Sequence, residues 1–241
     1  MKAWLNLRYT LPDRIAIFRS GLERHGYTVV MGLTQDPGHQ DLMCTWNRIS
    51  GADAAAKVFE TRGLKVLVTE NASWGNTFAG HHWYSLALTY HNSAGRFPIG
   101  GPERWDDLGV ELDQWRTEGN TLILPQRGIG PKCVAMPRGW AQDAHQRFGG
   151  RVRHHPGRSD CRPLEDDLEG IGKVVTWGSG AAVKCLLWGV PVISEMPQWI
   201  GHQDNTDAGR LQMFRNLSWA QARHSEIQDG SAFDRLLRHP V

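Results

Sequence analysis

Five stretches of this chain bring together residue types that can hold a phosphate, a sugar or a transferable proton. The first is Thr176-Trp177-Gly178-Ser179-Gly180, inside VVTWGSGAAVKCLLWGVPVIS at residues 174–194. Where a strand passes through glycines into a helix, backbone can approach a ligand closely. The unpaired first-turn amides then carry a partial positive charge that suits phosphate. Gly178 and Gly180 would allow the approach, and Lys184 follows one turn on. Ser179 would add a hydroxyl, or serve only as a helix cap. No Gly-Lys-Ser/Thr follows, so this is not a P-loop, and the dinucleotide fingerprint is incomplete.

The second stretch is Arg153-His154-His155-Pro156-Gly157, at the end of a predicted strand. Arg153 could neutralise a phosphate and His155 donate to it, with Pro156 shaping the turn. A solvated basic turn would look the same. Adjacent His154 and His155 would point opposite ways from a strand, and no third ligand has a suitable spacing, so no metal site is read. The third is QRGIGPK at 126–132, where Arg127, Gly128 and Gly130 suit a diphosphate or sugar.

The fourth follows the apolar run KVLVT. Glu70 stands where a general base could take a proton from an acceptor hydroxyl, and Asn71, Trp74 and Asn76 follow as sugar or acceptor contacts. A structural carboxylate capping loop amides is the plainer reading, and Asp41, Asp106 and Asp107 compete for the role. The fifth is the segment 199–207, where Asp204 and Asn205 could hold sugar hydroxyls and Asp207 could cap a helix. Trp74, Trp83 and Trp105 offer rings that could stack on a sugar or base, or simply pack. No Gly-x-Ser-x-Gly elbow and no recognisable Cys–His pair occurs, which disfavours hydrolase chemistry.

These stretches need a scaffold that brings strand ends together. Short apolar strands at 2–7, 27–32, 42–46 and 65–69 alternate with helical patterns at 14–25 and 52–62, a βαβ rhythm that predicts a parallel sheet. Residues 71–119 are rich in Gly, Trp and Pro and read as a long functional loop. The rhythm restarts with strands at 121–125, 151–155, 174–177 and 190–194. Helices are predicted at 137–148, 164–171, 181–188, 207–217 and 218–228. The expected fold is α/β, with two Rossmann-like halves at 1–118 and 119–241, parallel sheets, and a cleft between the halves.

Composition bounds the partners. The 241 residues are 40% hydrophobic and 22% charged, an ordinary globular balance. A net charge of +2 excludes a strongly basic coat for nucleic acid, although RVRHHPGR at 151–158 is locally basic. The four cysteines, at 44, 133, 161 and 185, match no zinc module and are expected as free thiols in a cytoplasmic setting. No signal peptide and no membrane span is read.

Three motifs occur in one order: LPQRGIG, RVRHHP and the strand–serine–helix unit ending in Gly-Val-Pro-Val. Together they resemble the donor-binding half of the GT-B glycosyltransferases, most of all the capsule-polysaccharide and Kdo-transferase branch. The resemblance spans roughly 65–195. It implies that His155, Pro156, Gly178, Ser179 and Gly180 bind a UDP- or CMP-linked sugar as substrate, without a metal or other cofactor. It also implies that Glu70, in LVTENASWGN, is the base. The tryptophan-rich style resembles proteins of tailed bacteriophages, some of which glycosylate hydroxymethylated bases of their DNA with GT-B enzymes. That implies DNA as one acceptor. The expected function is therefore sugar transfer from a nucleotide donor to an acceptor hydroxyl. A non-catalytic nucleotide- or nucleic-acid-binding module, or another Rossmann-like transferase or epimerase, is the alternative.

Overall fold

The computed structural model describes residues 1–7, 12–90, 94–130, 134–154 and 162–238. They form two compact units, Met1–Arg104 with Asn216–Val241, and Trp105–Arg215.

The first unit opens with β1 (Lys2–Asn6), α1 (Pro12–Arg24), β2 (Thr28–Met31), β3 (Leu42–Trp46), α2 (Gly51–Thr61) and β4 (Val66–Asn71). These four strands pair in parallel, in the order β4-β3-β1-β2. Side chains along a strand alternate between faces, so each strand feeds two cores. Ala3, Leu5, Leu42, Cys44 and Leu67 pack with Phe18 and Leu22 of α1. The intervening Met43, Val66 and Val68 pack with Ala55, Ala56 and Phe59 of α2. The near-continuous apolar strands are the signature of a sheet covered on both faces.

Two strands lie where a long loop is expected from the sequence. β5 (Thr77–Phe78) and β6 (His81–Leu88) form a hairpin. Its two turn residues, Ala79 and Gly80, both have positive φ, 47° and 74°, as the two-residue turns matched to strand twist require. β6 runs antiparallel to β4. Its last six residues are all buried, so the polar–apolar alternation of a half-exposed strand is missing. The short α3 (Glu103–Asp106) follows.

The second unit contains β7 (Asn120–Leu124), α4 (Trp140–Phe148), β8 (Arg151–Val152), α5 (Leu164–Asp167), β9 (Ile171–Thr176), α6 (Ala181–Leu187) and β10 (Val192–Ser194), and α7 (Asp207–Ser218) begins in it. All four strands are parallel, in the order β10-β9-β7-β8. Ile123 and Val175 on one face pack against Trp140 and Ala144 of α4. α6 packs against β9 and β10.

The chain then returns to the first unit through β11 (Gln221–Arg223), α8 (His224–Gln228) and α9 (Ser231–Arg238). This differs from the expected division at 118/119 and from the helix expected over 218–228. The reason is edge pairing. β6 would otherwise expose a ladder of backbone groups, and β11 pairs antiparallel with it. Arg104 secures the return. Its guanidinium donates to the Ser218 and Gln221 carbonyls and to both carboxylate oxygens of Glu226.

Burial would raise the pKa of Glu226, but Arg104, Arg235 and the Arg223 amide outweigh it and hold the carboxyl down to about 2. A carboxyl whose pKa is lower folded than unfolded stabilises the fold above its ordinary range. That contribution is therefore expected to fade as pH falls from 4.5 towards about 2. Glu226→Gln is expected to cost on the order of 3 kcal/mol, because it leaves Arg104 buried beside an uncharged partner. Urea unfolding at pH 7 and pH 3 checks both points, and an equal stability gap at the two pH values would refute the ion-pair account.

Candidate functional site

In the second unit, β8 lies on one side of β7 and the later β9 on the other. Strand order thus reverses between β7 and β9. In open parallel sheets ligands bind outside the carboxyl ends of the strands at such a reversal. The register sets Leu124 beside Thr176, so the QRGIG turn leaves the sheet abreast of the WGSG turn.

Thr176 clasps the two strand ends. Its hydroxyl donates to the Leu124 carbonyl at 2.7 Å and accepts from the Ser179 amide at 2.9 Å. The Gln126 amide and the Trp177 indole both donate to the Val134 carbonyl, at 2.7 and 2.9 Å. The Ser194 hydroxyl donates to the Trp177 carbonyl at 2.7 Å, which ties the end of β10 to the same edge. Ser179 is 9% exposed. Its hydroxyl accepts from the Ala181 amide at 3.3 Å, so it serves as a local cap whatever else it does.

The four glycines divide by physical role. Gly128 and Gly130 have φ of +63° and +123°, conformations that side chains strain to adopt. A Cβ on Gly178 would sit 2.8–2.9 Å from the end of the buried Met196 side chain. Gly180 has an ordinary φ of −60°, and a Cβ there would meet nothing within 4 Å. Gly180 is thus the one whose missing side chain leaves backbone open to space without a structural demand.

Several expected contacts are placed otherwise. Arg153 is not available to a phosphate: its side chain is 13% exposed and bonds to Asp167 at 2.5 Å and to the Arg162 carbonyl. Burial would raise the Asp167 pKa, but hydrogen bonds from Arg153 and Arg151 hold the carboxyl below its ordinary range. Lys184 lies with its ammonium 5.9 Å from the Trp188 ring centroid, directed along α6 away from Gly180. Arg127 is exposed, with no hydrogen bond or ion pair among the described residues. His155 and Pro156 lie outside the described residues.

Of the proposed sugar contacts in the second unit, Asn205 is an anchor. Its amide group exchanges hydrogen bonds with both backbone groups of Val192, at 2.9 and 3.1 Å. Asp204 is exposed but turned back onto Thr206, whose hydroxyl and amide it accepts.

In the first unit, Glu70 is the half-buried penultimate residue of β4, and Asn71 and Asn76 hydrogen-bond each other at 3.0 Å. Trp74 is no platform for a sugar. It is 2% exposed and stacked on Phe78 at 5.1 Å, with Trp83 edge-on to it. Trp83 and Trp105 are buried as well. Among the competing carboxylates, Asp41 accepts from the Lys2 and Gly38 amides and the Trp4 indole, and Asp106 pairs with Arg215.

Sequence reasoning placed Thr176 at the head of its first stretch but gave it no role, since the only signal is a hydroxyl residue closing a strand before glycine. It missed Glu195, which follows β10 and holds α4 through the Trp140 indole at 2.6 Å and Arg147. Cys44 and Cys185 are buried free thiols, and burial raises Cys185 to about 12. Among the described residues no group of three His, Cys, Asp or Glu is arranged to hold a metal ion, and no helix is long and apolar enough to cross a membrane.

The architecture is mixed α/β, built from Rossmann-like units with parallel sheets. A solved structure that shares it is KpsC of Thermosulfurimonas dismutans, a beta Kdo 2,4 transferase. The two align with a TM-score of 0.58 over 90% of each chain, at 15% identity. The likeness is one of fold. Aspartate transcarbamoylase from Trypanosoma cruzi aligns with TM-scores of 0.25 with phosphate and 0.24 without ligand, at 12% and 11% identity over 80% of its length, too weakly to indicate a common fold. No protein-family model matches the chain, and no curated protein sequence matches it.

Thr176→Val is expected to destabilise the second unit by roughly 2 kcal/mol, because it strands the buried Leu124 carbonyl and Ser179 amide. Gly180→Ala is expected to change stability by less than about 0.5 kcal/mol, since its φ is ordinary and the space is open. Paired thermal and urea melts check the contrast, and equal losses would overturn the division of glycine roles.

Proposed function

We propose that this chain transfers a glycosyl group from a nucleotide-linked sugar to an acceptor hydroxyl, and that the second unit binds the donor. The observation that carries the reading is the reversal of strand order between β7 and β9, with both glycine turns leaving the sheet at that point. The fold likeness to a beta Kdo 2,4 transferase supports it. The donor phosphates lie along the open backbone at Gly180 and against the exposed Arg127 guanidinium. That charge offsets the negative charge that builds on the leaving phosphate as the glycosidic bond breaks. His155 and Pro156 are assigned to the donor on the sequence resemblance alone. Glu70 takes the proton of the acceptor hydroxyl. Hydroxymethylated DNA is one acceptor to test.

Calorimetry with UDP- and CMP-linked sugars is the direct test. One nucleotide class is expected to bind. Arg127→Ala and Gly180→Ala are expected to weaken it by about tenfold each, roughly 1.4 kcal/mol, without loss of melting temperature. Glu70→Gln is expected to keep donor affinity and lose most of the nucleotide release seen with acceptor. Binding without turnover on any acceptor would mark a binding module. Failure of every nucleotide sugar to bind would sink the reading.

A further inference from the structure

The first unit holds a buried cation that meets no anion among the described residues. Arg14, in the first turn of α1, is 4% exposed. Its guanidinium lies 3.7 Å from the ring centroid of Trp46 and 4.8 Å from that of Tyr84. None of its nitrogens hydrogen-bonds or ion-pairs among the described residues, and Nε is fully buried without a partner. Stripping water from a guanidinium is costly unless a partner replaces it, and contact with aromatic faces offsets only part of that cost.

The neighbours of Arg14 are rings and imidazoles. Tyr84 stacks on His224 at 4.5 Å, and His224 on His82 at 5.2 Å. Burial, His82 and Arg14 together push the His224 pKa below its ordinary value, as expected where positive charge is crowded. Trp46 closes β3. The setting is again a reversal of strand order, here between β1 and β3. Arg14 stands on the helix that follows β1, and Trp46 at the carboxyl end of β3. A carboxylate here would meet a guanidinium whose Nε has no partner among the described residues, with the His224 imidazole stacked on the adjoining Tyr84 ring.

We infer that Arg14, flanked by Trp46, Tyr84 and His224, is a binding site for the oxyanion of a small molecule, a carboxylate or a phosphate. The inference uses the first unit alone and does not rest on the donor reading of the second. An oxyanion on Arg14 forms a charge-assisted hydrogen bond with Nε.

The test is nuclear magnetic resonance on the full chain, following the Arg14 Nε–Hε resonance during titration with inorganic phosphate and, separately, with sodium glucuronate. Sodium chloride at matched ionic strength is the control. A saturable shift with either probe, absent with chloride, is expected. The stronger responder tells phosphate from carboxylate. Arg14→Lys keeps the charge and loses the planar fork. It is expected to weaken binding, read by calorimetry, by about tenfold or more. Arg127→Ala is expected to leave the titration unchanged, which separates this site from the donor site. If the Arg14 resonance does not move with either probe, or moves equally with chloride, the inference falls, and the wild-type measurement decides this even where Arg14→Lys does not fold.

Discussion

Parallel pairing of β7 with β9 sends both strand ends, and the turns that follow them, to one edge of the second sheet. A parallel pair cannot be closed by a tight turn, so each strand must leave at the same end and return through a crossover. Once β8 and β9 settle on opposite sides of β7, their crossovers diverge and the edge between them stays uncovered. The Thr176 clasp then holds the two turns at a common level. It satisfies a carbonyl and an amide at the strand ends that would otherwise need water or ligand.

The electrostatics follow from how buried cations are satisfied. Arg48 is held by Asp53 and Glu60, Arg104 by Glu226, and Arg153 by Asp167. Arg210 bonds to the Asp113 and Leu186 carbonyls and pairs with Asp207. In each case a desolvated guanidinium finds oxygen, which is what makes such burial tolerable. These arginines are fasteners: Arg48 ties a loop to α2, Arg104 ties down the returning C-terminal segment, and Arg153 ties β8 to α5. Arg14 departs from the pattern because its neighbours are aromatic rings and histidine.

Most of the parallel strands were legible because a strand buried on both faces reads as an unbroken apolar run, as in KVLVT and TLILP. The same property hid β6. HHWYSLAL shows no alternation, and its flanks are rich in Gly and Trp, so it read as loop. The tail was misread for another reason. QAR is too short and polar to read as a strand, and it becomes one only because β6 offers a free edge. At the site, the glycine turns were legible from their place after strands, whereas the state of each cation was not. Arg127 and Arg153 look alike in sequence. Which of them is left over depends on where Asp167 falls, and that is a tertiary fact. Trp74 looked like a platform because it sits among polar loop residues, yet its ring is what fills the space beneath the β5–β6 hairpin.

The same topological device occurs once in each unit, and the comparison sharpens what each can hold. In the second unit the reversal is lined by glycine turns, and its cation, Arg127, is exposed. An elongated ligand of high charge can lie along such backbone without displacing side chains. In the first unit the reversal is lined by Trp46, Tyr84 and His224, and its cation is buried. A desolvated guanidinium between rings discriminates by geometry rather than by field, because only a group that can bond in the guanidinium plane recovers what water has lost. The proposed donor site therefore favours an extended chain of phosphates, and the inferred Arg14 site a single compact oxyanion on a small molecule.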